Sequence, residues 1–209
     1  MSYPTSPAET LADGTVHVAG LAFAIPASVI LLMQAAGSGA PMAATAIYVG
    51  CLVFAFAASA LYHLVPFDRS RAILGRIDHA AIYFKIAGTY TPIVVIIGTG
   101  FAYGILGLVW ALAVLGAIAK LFFWRTDARG SLALYLGMGW LSVLLIWPMI
   151  DRLPGMAVGL IGIGGLTYSL GTLIYKRDGM PYQNAIWHVF VLIASICLFW
   201  AINLSVQAI

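Results

Sequence analysis

Apolar runs long enough to cross a lipid bilayer occupy most of this 209-residue chain. A transmembrane helix needs about 20 predominantly apolar residues to cross roughly 30 Å of hydrocarbon. Seven windows of the sequence meet that requirement, at 16–36, 42–65, 78–98, 101–123, 132–150, 155–175 and 184–206. The sequence therefore predicts an all-α membrane protein. Its single integral membrane domain, residues 1–209, is predicted to be a bundle of seven transmembrane helices.

Composition argues against a soluble domain and against a nucleic-acid-binding role. Apolar residues make up 63% of the chain and charged residues only 8%, which is far from the balance of a soluble globular protein. The net charge of +3 is too small to indicate a nucleic-acid partner. Cys51 and Cys197 both fall inside apolar runs and form no C-x-x-C pair, so we interpret them as buried, inert thiols.

Basic residues alternate between the two ends of the predicted bundle. The connections after windows one and three and the carboxyl tail have none, and the connection after window five has only Arg152. The connections after windows two, four and six carry Arg69, Arg71, Arg76, Lys120, Arg125, Arg129, Lys176 and Arg177. Because Lys and Arg accumulate in cytoplasmic loops, this pattern predicts a cytoplasmic amino terminus and a carboxyl terminus outside.

Polar side chains within the predicted helices collect at one depth. Ionisable groups inside a membrane are costly and are functional candidates by default. With the predicted orientation and a rise of 1.5 Å per residue, all of these candidates lie within roughly 10 Å of the cytoplasmic boundary. They are His63, Asp78, His79, Asn184 and His188, and His17 at the start of the first window shares that side.

Spacing suggests what this group of polar residues does. Ser59 with His63, and Asn184 with His188, are both i, i+4 pairs, so each pair lies on one helical face. Imidazole and carboxylate groups converging from three helices suit Zn²⁺, which takes three protein ligands and an open position in catalytic sites. By contrast, His17 and His79, each taken singly, are interpreted as packing residues near the membrane interface.

Lys85 is a separate feature of the third window. It follows Asp78 by seven residues, so it lies on about the same helical face two turns deeper, and direct contact with Asp78 is not expected. Two alternatives stay open: the ammonium points into a hydrated cavity or pairs with a polar group of the bundle, or it extends towards the cytoplasmic interface.

Three segments of the chain resemble a known family: SALYHL at 59–64, RIDHAAIYFKIAGTYTP at 76–92 and AIWHVFVL at 185–192. The segment around His17 does so as well. Over nearly its whole length the chain is similar to the hemolysin III family, the bacterial branch of the progestin and adipoQ receptor (PAQR) superfamily. The resemblance implies a seven-helix protein of the bacterial cytoplasmic (inner) membrane, with a metal site, usually zinc, near the cytoplasmic face.

The resemblance also implies roles for individual positions. The S-x-x-x-H motif of the family falls on Ser59 and His63, and the aspartate that holds the reactive water falls on Asp78. The last helix of the family carries an H-x-x-x-H motif, of which His188 is the second histidine. Its first position is Asn184, whose neutral amide oxygen is a weaker zinc ligand than imidazole.

Four outcomes of that substitution stay open. His79 or His17 replaces the missing histidine, Asp78 binds the metal directly, Asn184 acts through a water, or this chain binds no metal. The expected metal ligands are therefore His63, His188 and Asp78, with Asn184 as a weak fourth.

The activity implied by the resemblance is metal-dependent hydrolysis of a lipid-like amide or ester. Asp78 would deprotonate the water, and Ser59 would steady the site or the developing oxyanion.

Two other classes of function stay open: a pore-forming or membrane-perturbing protein, as the family name suggests, and a non-catalytic receptor or sensor. Lys85 is the one clear mid-helix charge, and no acidic ring accompanies it, which disfavours a dedicated ion channel.

Overall fold

The computed structural model describes residues 6–65, 68–123, 129–177 and 179–209. Seven helices in those residues are long and apolar enough to cross a membrane, so the predicted fold class is confirmed. We call them spans one to seven: Pro7–Ser38, Met42–Leu64, Arg69–Ile97, Gly100–Phe123, Gly130–Arg152, Gly155–Tyr175 and Gln183–Gln207. The orientation of the bundle in the membrane stays a prediction, and Arg125, one of the basic residues behind it, lies outside the described residues.

Two helices begin well before the windows that predicted them. Span one begins at Pro7 rather than at residue 16, and the helix of span three begins at Asp68 rather than at residue 78. A hydropathy window detects only the apolar part of a helix, whereas backbone hydrogen bonding continues into the polar turns on either side. Asp13 therefore lies inside a helix, and Asp78 lies ten residues into one.

Local contacts fix the start of span one against the start of span seven. The Ser6 hydroxyl accepts a hydrogen bond from the Glu9 amide at 3.2 Å, and the Glu9 carboxylate accepts from the Ser6 amide at 3.2 Å. This reciprocal capping box satisfies amides that the first turn of a helix leaves without partners. The other carboxylate oxygen of Glu9 accepts from the Tyr182 amide at 3.0 Å. The polar ends of the two spans are thereby held together.

Span five changes its helix type along its length. A 3₁₀ segment at Leu141–Leu145 interrupts it. Just before this segment, the Tyr90 hydroxyl of span three lies 2.8 Å from the Met138 carbonyl and 2.9 Å from the Gly139 carbonyl. The tighter winding changes which amides the carbonyls of the neighbouring turn can pair with. The Tyr90 hydroxyl supplies a hydrogen-bond donor to those carbonyls.

Cys51 and Cys197 are free thiols, and they are partly rather than fully buried.

Candidate metal centre

Three spans bring histidines together at the end of the bundle where span one begins. Asp13 and His17 are an i, i+4 pair on span one, His63 lies in the last turn of span two, and His188 lies in the second turn of span seven. Their ring centroids are mutually close: 4.8 Å for His17 and His63, 4.4 Å for His17 and His188, and 4.6 Å for His63 and His188. We call Asp13, His17, His63 and His188 the histidine cluster.

The histidine cluster is withdrawn from water. Asp13 is 2% exposed, His17 3% and His63 7%, and His188 is partly buried. One potential ligand atom from each of the four residues lies within 4.8 Å of the others. Such a compact set of imidazoles and a carboxylate can hold a metal ion.

The hydrogen bonds of the cluster orient all three imidazoles in the same way. His17 Nδ1 lies 2.7 Å from the Asp13 carbonyl oxygen, His63 Nδ1 lies 2.8 Å from Asp13 Oδ2, and His188 Nδ1 lies 2.8 Å from the Asn184 carbonyl oxygen. A carbonyl or carboxylate oxygen only accepts, so each Nδ1 carries the proton and donates. In a neutral imidazole the proton on Nδ1 leaves a lone pair on Nε2.

Asp13 contacts all three rings. Beyond its bond to His63, its Oδ1 lies 3.3 Å from His188 Nδ1 and 3.6 Å from His17 Nδ1. A carboxylate or carbonyl that accepts from Nδ1 is the usual outer partner of a histidine that binds metal through Nε2, because it fixes the tautomer and raises the basicity of the ring. Asp13 is therefore placed to orient the imidazoles.

Ser59 lies on the Nε2 side of the cluster. Its Oγ is 3.2 Å from His17 Nε2 and 3.4 Å from His188 Nε2. A serine hydroxyl has one proton to donate, so it can satisfy one of these two nitrogen lone pairs at a time. Two basic nitrogens thus converge on one hydroxyl, whose single proton cannot satisfy both of them. A cation placed there would interact with both lone pairs at once.

The other predicted site residues lie nearby but outside the cluster. Asp78 is 8% exposed, and its Oδ2 lies 3.7 Å from Nδ1 of His79, which in turn donates to the Gly75 carbonyl at 2.7 Å. Asn184 is 6% exposed and offers its backbone carbonyl to His188. The predicted roles of Asp78 and Asn184 as metal ligands stay predictions.

Sequence reasoning missed Asp13 and interpreted His17, taken singly, as a packing residue. The available signal was the D-x-x-x-H spacing of residues 13–17, which matches the two i, i+4 pairs that were recognised. The first window was placed at 16–36, which left Asp13 outside the predicted helix. The spacing of Asp13 and His17 was therefore not interpreted as a pair on one helical face.

A cavity of about 650 Å³ connects these groups with the interior of the bundle. Its lining includes His17, Ser59, His63, Asp78 and His188. Most of the remaining wall is apolar and comes from spans three, five, six and seven, including Tyr90, Leu145, Ile161, Leu166 and Leu198. A volume of this size is typical of small-molecule sites.

The cavity reaches the surface of spans five and six. Trp140 and Val143 of span five and Leu166 of span six line it, and they are 49%, 45% and 55% exposed. These side chains are therefore both part of the cavity wall and exposed on the surface of the bundle.

The donor set of the cluster fits zinc. Three imidazoles are a known ligand set for catalytic zinc, which keeps a fourth position open, and each Nδ1 here already has the acceptor that such histidines need. The substitution at Asn184 does not reduce this number, because His17 supplies a third imidazole from span one. Together the fold and the cluster define a polytopic membrane protein with a buried candidate metal centre that opens into an apolar cavity.

Comparison with known proteins identifies the family. Residues 7–199 match the family described as "Haemolysin-III related", and the chain belongs to that family. It is 34% identical to "Hemolysin-3" of Bacillus cereus over 197 residues, covering 93% of this chain and 90% of the relative. It is 36% identical to "Hemolysin-3 homolog" of Bacillus subtilis (strain 168) over 198 residues, covering 93% and 92%.

A mammalian relative extends the likeness beyond bacteria. The chain is 31% identical over 156 residues to "Monocyte to macrophage differentiation factor" of Homo sapiens, covering 70% of this chain and 63% of the relative. The resemblance to hemolysin III and to its PAQR relatives, inferred from segments 59–64, 76–92 and 185–192, is confirmed.

Proposed function

We propose that this protein is a zinc-dependent hydrolase of a lipid-like amide or ester, with its site near the cytoplasmic face of a bacterial inner membrane. The observation that carries the proposal is the common orientation of the three buried imidazoles. Their Nδ1 atoms donate to Asp13 and to two backbone carbonyls, which leaves Nε2 as the basic atom of each ring.

The proposed zinc ligands are Nε2 of His17, His63 and His188. This set differs from the one expected from sequence, because His17 replaces Asn184 and Asp78 is left for another role. When bound, zinc supplies a Lewis acid that makes water a nucleophile near neutral pH. Asp13 holds the rings in position from the opposite side.

Two further residues act on the substrate side of the site. Asp78 lines the cavity beside the cluster, and its carboxylate is proposed to accept the proton of the attacking water. Ser59 Oγ, once it is released from the two imidazole nitrogens, is proposed to donate to the substrate carbonyl oxygen as negative charge develops there. Both groups are fixed on helices, so little rearrangement is required.

The cavity indicates the class of substrate. Its wall is mostly apolar and reaches the lipid-facing surface of spans five and six, so an acyl chain can enter from the bilayer. An amide or ester carbonyl at the head of that chain then reaches the histidine cluster. The basic connections at this end of the bundle support a cytoplasmic location.

The proposal is tested by measuring fatty acid release from a panel of N-acyl amides and acyl esters in liposomes. We expect release by the zinc-loaded protein and none by the zinc-free protein or by His188→Ala. Turnover that persists unchanged without metal would contradict the proposal.

The name of the Bacillus cereus relative favours membrane perturbation as a second candidate function. Leakage of encapsulated dye from liposomes at low protein content, without hydrolysis, would support it.

We expect Asp13→Asn to weaken zinc binding by about 10–100-fold without abolishing it, because a neutral amide accepts more weakly than a carboxylate from His63 Nδ1 and presents no negative charge to the His17 and His188 rings. Competitive titration with a chromophoric zinc chelator measures the change. Asp151→Asn, the same substitution at an exposed carboxylate, is the matched control and should have no effect. Complete loss of zinc in Asp13→Asn would instead make Asp13 a direct ligand, and unchanged affinity would remove it from the site.

A further inference from the structure

The bundle contains a second polar group, deeper than the histidine cluster. Lys85 lies in span three, seven residues beyond Asp78, which places it about 10 Å further along the helix. It is only 9% exposed, and it lines the same cavity as the cluster. Its side chain stays in the interior, so the alternative of extension towards the cytoplasmic interface is not realised.

Adjacent spans build the surroundings of this lysine at the same depth. Phe56 precedes His63 by seven residues, and Ser195 follows His188 by seven residues. Both therefore lie two turns from their histidines, as Lys85 does from Asp78. Lys85 Nζ donates to Ser195 Oγ at 2.7 Å and lies 4.6 Å from the centroid of the Phe56 ring.

The hydroxyl of Ser195 has no capacity left for a ligand. It donates to the Val191 carbonyl, and it accepts from Lys85 and, at 3.1 Å, from the Tyr168 hydroxyl. Lys85 Nζ also lies 5.5 Å from the centroid of the Tyr168 ring. Ser195 and the two rings hold the ammonium in place, and the faces of the rings favour its positive charge.

Lys85 has more hydrogen-bonding capacity than its surroundings use. An ammonium has three donors, and Ser195 takes one of them. Within the residues that the structure describes, no carboxylate lies at ion-pair distance from Lys85. A charge inside a membrane protein normally pairs with another charge or faces a functional cavity. Lys85 lines the cavity, so we infer that its remaining donors serve a ligand there.

We propose that Lys85 binds the negatively charged head group of a single-chain amphiphile that occupies the cavity. The ammonium pairs with the anion, and the apolar wall accommodates the alkyl chain. The cavity volume of about 650 Å³ is sufficient for such a ligand. This site is separate from the histidine cluster, and it does not depend on metal or on hydrolysis.

The test compares matched ligands with a twelve-carbon chain on the metal-free full-length protein. Laurate and dodecyl phosphate carry two different anionic head groups, and dodecanol is the neutral counterpart. Binding to the protein in nanodiscs is measured with radiolabelled ligands. We expect at least one of the two anions to bind about tenfold or more tightly than dodecanol. The anion that binds more tightly identifies the source of the ligand as a fatty acid or a phosphorylated lipid.

Variants assign that preference to Lys85. In Lys85→Met the preference for the anion should disappear while dodecanol still binds, which also shows that the cavity remains folded. Lys85→Arg should retain the preference, and Lys176→Met, the same change at an exposed lysine, should leave binding unaltered. Equal binding of anions and alcohol by the unmodified protein would overturn the proposal.

A second arm separates this site from the histidine cluster. The double variant His63→Ala, His188→Ala should keep the preference for the anion, because Lys85 is intact. Loss of the preference in that double variant, with retention in Lys85→Met, would place the anion at the histidines and overturn the proposal. Failure of the zinc or hydrolysis experiments would leave these expectations unchanged.

Discussion

Bound zinc should fall from about one ion per chain to background when His63 and His188 are both replaced by alanine. The two histidines come from different spans, and their rings lie 4.6 Å apart beside His17. Removing both leaves one imidazole and a carboxylate, too few ligands for a stable tetrahedral site. Elemental analysis by inductively coupled plasma mass spectrometry, on protein purified in detergent before and after incubation with zinc, measures the effect.

His79→Ala is the control for this experiment. His79 lies at the same end of the bundle, but it donates to the Gly75 carbonyl and is outside the histidine cluster. We therefore expect normal zinc content in this variant. A zinc content in the double variant equal to that of the unmodified protein would contradict the ligand assignment. Failure of the unmodified protein to take up added zinc would shift the interpretation to a non-catalytic membrane role.

Hydrolysis should decrease by about 10²–10⁴-fold in Asp78→Asn while zinc remains bound, because the variant loses a general base but no proposed ligand. Asp78 is nearly buried beside the cluster, and it belongs to the cavity wall. Asparagine has almost the same shape but cannot accept the proton of the water. Initial rates of fatty acid release, measured together with metal content, check both parts of the prediction.

Comparison with His188→Ala distinguishes a base from a ligand. We expect His188→Ala to lose zinc and activity together, whereas Asp78→Asn should lose activity alone. If Asp78→Asn loses both, Asp78 is a ligand, as the sequence suggested. If it retains full activity, the proton acceptor is a different group, and the proposed role of Asp78 is wrong.

The proposed use of His17 as a zinc ligand depends on the packing of span one against span seven. Glu9 accepts from the Tyr182 amide and thus ties the two polar ends together. At the same end of the two spans, His17 lies 4.4 Å, centroid to centroid, from His188. A histidine from a sequence-distant helix can therefore stand in for the imidazole that Asn184 does not provide.

Several features could be predicted from sequence because they depend on local pattern. Seven apolar windows gave seven spans, because each crossing requires a minimum apolar length that is read directly along the chain. Ser59, His63 and His188 were selected because helical spacing places each i, i+4 pair on one face. The depth of Lys85 followed in the same way from its distance to Asp78.

By itself, the sequence determined the membrane class, the number of spans and the position of each polar residue along its helix, because apolar length and helical rise depend on residues close together in the chain. Tertiary structure alone decided that Asp13 and His17 complete the histidine cluster and that Lys85 pairs with Ser195. These contacts join spans one with two and seven, and three with seven. Which faces of separate helices meet depends on packing between residues far apart in sequence, and that information is absent from the pattern of any single span.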